Sequence, residues 1–333
     1  MLLMVTNRRL KKGRYSDEEQ ARQGYHYLID HLGQAPGQDG FGSKVGKSAF
    51  RKAIVSELER QCSAPQIAEP SVGIYLHGYN NTWQESIDEL VDLHQALAGV
   101  LGHDPFLIGF SWPSAGKIRS YLSDREEARD SVKAFTRFTL EIAEFVRLSQ
   151  KDCMARSYCI AHSMGNYLLR KGFEYASDYL GEPVGLKLFD ETLMLAADLA
   201  SSDMSVRGKG RYIRDLSRRV HIYYSRHDSI LRASSAKRFG RNRLGRHGIR
   251  EGAAIDSNVV LIDTQNFARG DSLDQLGLTT RRGKPVSVHS AARYHPRILE
   301  DIRQVIFSTD RELVTGRERL DLDDEQRNRF RLV

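Results

Sequence analysis

The stretch Tyr158-Cys159-Ile160-Ala161-His162-Ser163-Met164-Gly165-Asn166 sets one serine between an apolar run and a segment of helical period. A serine hydroxyl attacks a carbonyl only when a base takes its proton, and a tight strand-to-helix turn is a device that exposes it. Such a turn strains the serine backbone, so the residues two before and two after must be small. Ala161 and Gly165 meet that need, with Ala161 standing where the commoner Gly-x-Ser-x-Gly string has its first glycine. The N–H groups opening the helix are then aimed at the same point. Small-x-Ser-x-Gly also arises by chance, so the flanking strand and helix carry the weight.

An ester carbonyl attacked at Ser163 needs donors for its oxyanion. Upstream, Ile74 to Thr82 reads as a strand ending in His77-Gly78, where Gly78 lets the chain turn and the N–H of Tyr79 pairs with that of Met164 as an oxyanion hole. The same string reads as an ordinary turn with Asn81 or Thr82 capping a helix. Downstream, the run from Val220 ends at Asp228, an acid suited to orienting an imidazole. Asp198, after another apolar run, is its rival and Asp203 a weaker third; aspartates in such places are commonly helix caps. For the base, His289 on the loop before the last helix is preferred, and His295, just ahead of Pro296, is the alternative, suited also to starting that helix. The order Ser163, Asp228, His289 is that of α/β-hydrolases and differs from the chymotrypsin and subtilisin orders.

These residues must be held by elements, and the pattern supplies them. Apolar runs at 2–6, 72–76, 106–110, 157–161, 193–197, 220–224 and 259–262 read as strands. Helical period occupies 87–97, 126–148, 166–179 and 296–306, the last with Pro296 at a first helical position. Strands apolar on both faces and alternating with helices predict an α/β fold, a mostly parallel central sheet with helices on both sides. A chain of 333 residues allows about two domains. Candidate nucleophile, acid and base spread along one sheet argue instead for a single domain over 1–310, with its core at about 70–305. Residues 9–69 read as an N-terminal elaboration, a polar Gly-rich loop between two helices. The charged tail 311–333 reads as a surface helix or a disordered segment.

The strings HGYNNT (77–82), FSWPSAG (110–116), YLSDREEARDS (121–131), AHSMGN (161–166) and YYSRHDSIL (223–231), with the His289-Ser290 to Pro296 spacing, resemble a family of bacterial α/β-hydrolase-fold proteins catalogued as a domain of unknown function. The resemblance spans roughly 70–305 in the family's order. It implies an esterase- or lipase-like serine hydrolase with Ser163, Asp228 and His289 at the matching positions. Two departures, the Arg-rich segment after Asp228 and the extended region before residue 70, make the substrates of relatives an unsafe guide.

Trp112 and Tyr121 fall after the third strand, where they would wall a pocket for a small ester together with His77, Gly78 and His162; an aromatic there is also commonly plain packing. Fifty Lys and Arg against 43 Asp and Glu give a net charge of +7. Its densest part is 231–250, with Arg232, Lys237, Arg238, Arg241, Arg243, Arg246 and Arg250 and no acid. As a lid over 231–257 it would attract a phosphate- or carboxylate-bearing substrate or an anionic lipid surface; the plainer reading is a solvated loop. The competing functional class is a non-catalytic protein of the same fold that binds an anionic partner through this segment. Phe239 as its lone aromatic argues against nucleic acid. Gly42-Ser43-Lys44-Val45-Gly46-Lys47-Ser48 imitates a phosphate loop but has Phe41 where the first glycine belongs. Neither a cofactor nor a metal is implied: His221 and His227 lack further ligands. Cys62, Cys153 and Cys159 are too few for a disulfide framework, which points to a reducing cytoplasm. No secretory leader is visible at 1–9, and no apolar run reaches about 18 residues, the length of a membrane span.

Overall fold

Apolar residues face both sides of the central strands, and both sides must be covered, so the chain builds a sheet between two helical layers. The computed structural model describes residues 2–19, 24–30, 42–114, 121–149, 155–180, 186–236, 241–250, 252–320 and 328–333. Its first half contains β1 (Leu2–Thr6), β2 (Arg8–Lys11), β3 (Arg14–Glu19), β4 (His26–Asp30), β5 (Ser43–Val45), α1 (Lys47–Ser63), β6 (Ser71–Leu76), α2 (Trp83–Leu101), β7 (Phe106–Ser111), α3 (Tyr121–Asp130) and α4 (Val132–Ser149). There follow β8 (Arg156–His162), α5 (Gly165–Leu180), β9 (Phe189–Leu195), α6 (Arg211–Asp215), β10 (Ser217–Tyr224), α7 (Ser229–Ala236), α8 (Leu244–His247), β11 (Val259–Asp263), α9 (Gly270–Leu276), α10 (Pro296–Ile306), β12 (Arg317–Arg319) and β13 (Arg329–Leu332).

Among the described residues, eleven strands form one sheet in the order β12-β13-β11-β10-β9-β8-β6-β7-β1-β4-β5. From β13 to β1 every neighbouring pair is parallel. Antiparallel strands close the edges: β12 on one side, β4 and β5 on the other. The chain leaves β6 towards β7 and then crosses back to lay β8 on the opposite side of β6. At such a switch the connections depart in opposite directions and a crevice opens at the carboxyl ends of the two strands. His77 follows β6 and Ser163 follows β8, so the topology brings both to that crevice.

Leu3, Val5, Val72 and Ile74 face Phe50 and Ile54 of α1, Phe135 and Phe138 of α4, and Leu168 and Leu169 of α5. Leu2, Met4 and Tyr75 face the other way, towards Leu90 and Leu93 of α2 and Ile298 and Ile302 of α10. Helix α10 buries Ile298, Leu299, Ile302, Val305 and Ile306. At about 1.5–3 kcal/mol each, that burial far exceeds the tenths of a kcal/mol per residue that propensity contributes, so packing holds this helix.

Several expectations need correction. In 9–69, α1 is one of the two helices expected, whereas the place of the other is taken by the β2–β3 ribbon and by β4, which with β5 extends the main sheet beyond β1. Much of the Gly-rich loop lies outside the described residues. The helix expected over 126–148 divides into α3 and α4 at Ser131, whose hydroxyl donates to the Glu127 carbonyl at 2.8 Å and accepts from Asn7 at 2.8 Å. The strand expected at 193–197 runs Phe189–Leu195, because Ala196 turns into the left-handed region at φ 43°. The charged tail carries β12 and β13, and its Phe330 and Leu332 are buried. Only alternate residues of β13 face the core, a signal too thin to show against so many charges.

Three cysteines make no framework, but Cys62 is disulfide-bonded, while Cys159 is free and buried. The remaining cysteine, Cys153, lies outside the described residues. Disulfides persist in oxidising environments, so the step from cysteine count to a reducing cytoplasm loses its support. No helix among the described residues is long and apolar enough to cross a membrane.

Candidate active site

Ser163 sits in the left-handed region at φ 52°, a conformation that costs a serine on the order of 1–3 kcal/mol. Hydrogen bonds hold it there. Its N–H donates to the Leu195 carbonyl at 3.0 Å, and its carbonyl accepts from the N–H groups of Asn166 and Asp198, both at 3.1 Å. The Asn166 side chain adds a bond to the Ala161 carbonyl at 2.9 Å. A Cβ on Gly165 would stand 2.6 Å from the His77 carbonyl oxygen and 2.7 Å from that of Leu76, so glycine is required where α5 starts against the end of β6. Gly78 approaches from the other side: a Cβ there would lie 3.1 Å from the Ser163 Cβ.

His289 rides on a 3-10 turn, Val288–Arg293, and its Nδ1 lies 2.7 Å from Oδ2 of Asp228. Donating Nδ1–H to a carboxylate selects the tautomer whose Nε2 carries a lone pair, the form a base needs. The other oxygen of Asp228 accepts the Leu231 N–H at 2.9 Å, within the first turn of α7. The aspartate therefore caps a helix and orients an imidazole at once. Nε2 of His162 lies 2.9 Å from the His289 carbonyl, and the two rings are 4.9 Å apart. Burial pushes the His162 pKa well below its ordinary value, so this ring is neutral. It ties the serine turn to the histidine loop. Arg293, on the same 3-10 turn, reaches Glu89 of α2 at 3.0 Å, and Glu89 also accepts from the Tyr75 hydroxyl at 2.8 Å.

The loop carrying Tyr79 is fixed by groups that pattern reading assigned to the pocket or missed. His77 is 2% exposed; its Nδ1 lies 2.7 Å from the Gly78 carbonyl, and its Nε2 accepts the Trp112 backbone N–H at 3.1 Å. Burial lowers its pKa to about 3. The Trp112 indole stacks on this imidazole with ring centroids 5.1 Å apart, and its N–H donates to the His77 carbonyl at 3.1 Å. Trp112 is 0% exposed. Both were expected to wall the substrate pocket; with their polar atoms satisfied and their faces covered, they position the loop. Tyr121 opens α3, and its side chain lies outside the described residues. Arg8 was not foreseen. Fully buried, it donates to the Asn81 carbonyl at 2.7 Å and the Ser111 hydroxyl at 2.9 Å, and pairs with Asp17. A long cationic side chain beside a strand end gives no sequence signal of inward orientation. Helix α2 begins with Thr82 as cap, its hydroxyl accepting from the Glu85 N–H.

The alternatives occupy other contacts. Asp198 accepts from the Ser234 hydroxyl at 2.7 Å and lies 3.3 Å from Nε of Arg243, with both ion-pair members 2% exposed. His295 caps α10 by accepting the Arg297 N–H at 3.2 Å, and Asp203 lies in the 3-10 turn Ser201–Met204. The basic segment is no detached lid. Lys237, Arg238 and Phe239 lie outside the described residues, but Arg243 is buried, and Leu244 and Gly245 donate to the carbonyls of Leu199 and Ala197 at 2.8 and 2.9 Å. The phosphate-loop lookalike forms β5 and the start of α1, with Gly46 as the cap between them, leaving no loop to cradle a phosphate.

A family model described as an alpha/beta hydrolase of unknown function (DUF900) matches residues 52–281. Among curated proteins, the uncharacterized protein alr1448 of a Nostoc species is 27% identical over 186 residues, covering 48% of this chain and 46% of the relative. This chain thus spans about half the length of that relative. Among solved structures, phospholipase PlaB from Legionella pneumophila aligns over 60% of this chain and 39% of its own, at 15% identity and a TM-score of 0.29. An esterase from Pyrobaculum calidifontis aligns over 68% and 76%, at 11% identity and a TM-score of 0.28. Overlays this distant say nothing about what this chain binds or cleaves.

Proposed function

The chain belongs to the α/β-hydrolase family of unknown function (DUF900), and from that premise we propose that it is a serine hydrolase cleaving a small carboxylic ester. In this reading Nε2 of His289 takes the Ser163 hydroxyl proton as the oxygen attacks the carbonyl carbon. The N–H groups of Tyr79 and Met164 receive the oxyanion, and Asp228 stabilises the imidazolium. His289 returns the proton to the departing alcohol, leaving an acyl-serine. Water, deprotonated by the same imidazole, then releases the carboxylic acid and restores Ser163.

One observation carries the reading: a non-glycine left-handed serine between β8 and α5, in a chain whose His289 meets a buried carboxylate at 2.7 Å beside that turn. Strain retained at a serine needs a purpose, and an inert turn would do better with glycine. A fluorophosphonate probe should label Ser163 and no longer label Ser163→Ala, while circular dichroism shows the variant folded. Labelling that persists in Ser163→Ala, or fails in the wild-type chain, overturns the reading. The competing reading, an anion-binding protein using 231–250, is weakened because Arg243 is spent on Asp198 in the interior.

A further inference from the structure

The 3-10 turn Val288–Arg293 carries His289 near one end and a buried cation at the other. Arg293 is 3% exposed, and its Nη2 donates both to Oε1 of Glu89 at 3.0 Å and to the Ser290 hydroxyl at 3.2 Å. Ser290 directly follows His289. The second oxygen of Glu89 accepts the Tyr75 hydroxyl at 2.8 Å, and Tyr75 stands in β6, two residues before His77. One run of contacts thus joins the neighbour of the candidate base to α2 and to the strand that leads into the Tyr79 loop. Tyr294, next along the chain, donates its hydroxyl to Asp92 at 2.5 Å. Glu89 and Asp92 are three apart and share a face of α2, so the turn is fixed to that helix at two points.

Stability does not account for this arrangement. Desolvating a guanidinium and a carboxylate costs about as much as their attraction returns, and an apolar pair of like volume often serves as well. Arg293 recovers less than a fully bonded guanidinium: its Nε and Nη1 are buried and have no hydrogen-bond partner. Such atoms are few in native proteins, and each calls for a reason. What Arg293 does that no apolar side chain does is hold two oxygens at fixed distances from each other. Its charge also reaches the serine turn. After burial, the Arg293 charge is the next cause that depresses the His162 pKa. A neutral His162 gives the His289 carbonyl its Nε2–H without setting another cation beside the base.

We infer that Arg293 is a positioning residue for ester cleavage at Ser163: by bonding Ser290 and Glu89 together, it sets His289 against the serine and the Tyr79 loop. The reaction it serves rests on the hydrolase reading, and the tether on these contacts alone. Arg293 acts through the turn rather than on the reacting atoms. A displacement of about 1 Å costs on the order of 10²-fold in rate.

The test replaces the pair as well as the single residue. Arg293→Met strands the Glu89 carboxylate and should lower the urea midpoint together with activity. Arg293→Met/Glu89→Gln removes both charges and keeps an acceptor for the Tyr75 hydroxyl, so the midpoint should recover. Its kcat for p-nitrophenyl acetate should stay at least about tenfold down, with KM within about twofold. A rate that recovers with the midpoint makes Arg293 merely structural and overturns the inference. Ser290→Ala serves if the double variant fails to fold, since it removes only the bond from Arg293 and a 3.4 Å one from the exposed Ser287. Its kcat should fall severalfold at an unchanged midpoint; an unchanged kcat overturns the inference. A readout that needs no substrate is the low-field proton resonance of His289 Nδ1–H, which lies 2.7 Å from Asp228. It should shift or vanish in the double variant, and an unchanged resonance overturns the tether. The two readings fail separately. A wild-type chain that fluorophosphonate leaves unlabelled, with the resonance altered in the variant, sinks the hydrolase alone; a labelled wild type whose variant keeps rate and resonance sinks Arg293 alone.

Discussion

Asp228 and Asp198 are both buried acids behind parallel strands, and replacing each by asparagine should produce opposite failures. Both oxygens of Asp228 are in use, one on His289 Nδ1 at 2.7 Å and one on the Leu231 N–H at 2.9 Å. Asparagine has one acceptor oxygen. If that oxygen keeps the cap of α7, the amide NH2 faces Nδ1 and drives the imidazole proton to Nε2, where the base needs its lone pair. A wrong tautomer costs about 10⁴ in kcat, or about 5.5 kcal/mol of barrier. Stability should fall by only about 1 kcal/mol, the scale of a weakened cap. Asp198→Asn instead strips the carboxylate from an Arg243 that is 2% exposed. An uncompensated buried guanidinium costs about 3–5 kcal/mol of stability. Urea denaturation gives the two stabilities, and p-nitrophenyl acetate turnover per folded molecule gives the two rates. The reasoning is refuted if Asp198→Asn loses the greater rate per folded molecule, or if Asp228→Asn keeps activity within tenfold of the wild type.

Arg8→Met removes the donor to Asn81 and Ser111, so it should lower stability by about 3 kcal/mol and slow ester turnover by tenfold or more as the Tyr79 loop loosens; Arg8→Lys should restore little, since one ammonium cannot replace the fork. Full turnover in folded Arg8→Met would remove the loop from the mechanism. Acid should destabilise the fold: His77, with a pKa near 3, and His162 stay neutral when folded but take up protons when unfolded below their ordinary value of 6.5. The contribution is present above pH 6.5 and is lost as pH falls, about 2 kcal/mol for His77 between pH 6.5 and 5, with His162 acting in the same direction. Urea midpoints that stay level from pH 7 to 5 would contradict this. Reduction, or Cys62→Ser, should lower stability by about 2–4 kcal/mol; an unreduced chain showing three titratable thiols under denaturing conditions would dispose of the bridge.

Local pattern suffices for much of the architecture. The run at 2–6 and the helix at 296–306 coincide with β1 and α10, because a continuous apolar run and a 3.6-residue period are properties of the residues themselves. Where burial comes from distant partners, pattern fails: β13 shows two apolar residues among arginines, and the longer ribbon of β2 and β3 shows only Leu10 and Tyr15 among charges.

By itself the sequence determined which residue types stand where in the chain: a serine between small neighbours, aspartates after apolar runs, histidines before the last helix. Only the tertiary structure decided which of them meet. Asp228 rather than Asp198 touches an imidazole, His77 and Trp112 seal against each other, and Arg8 turns inward beneath the loop at Asn81. Identical local signals at 198 and 228 lead to different partners because strand order is set by long-range packing, and a hydrogen bond depends on distances of a few ångströms that no spacing along the chain encodes.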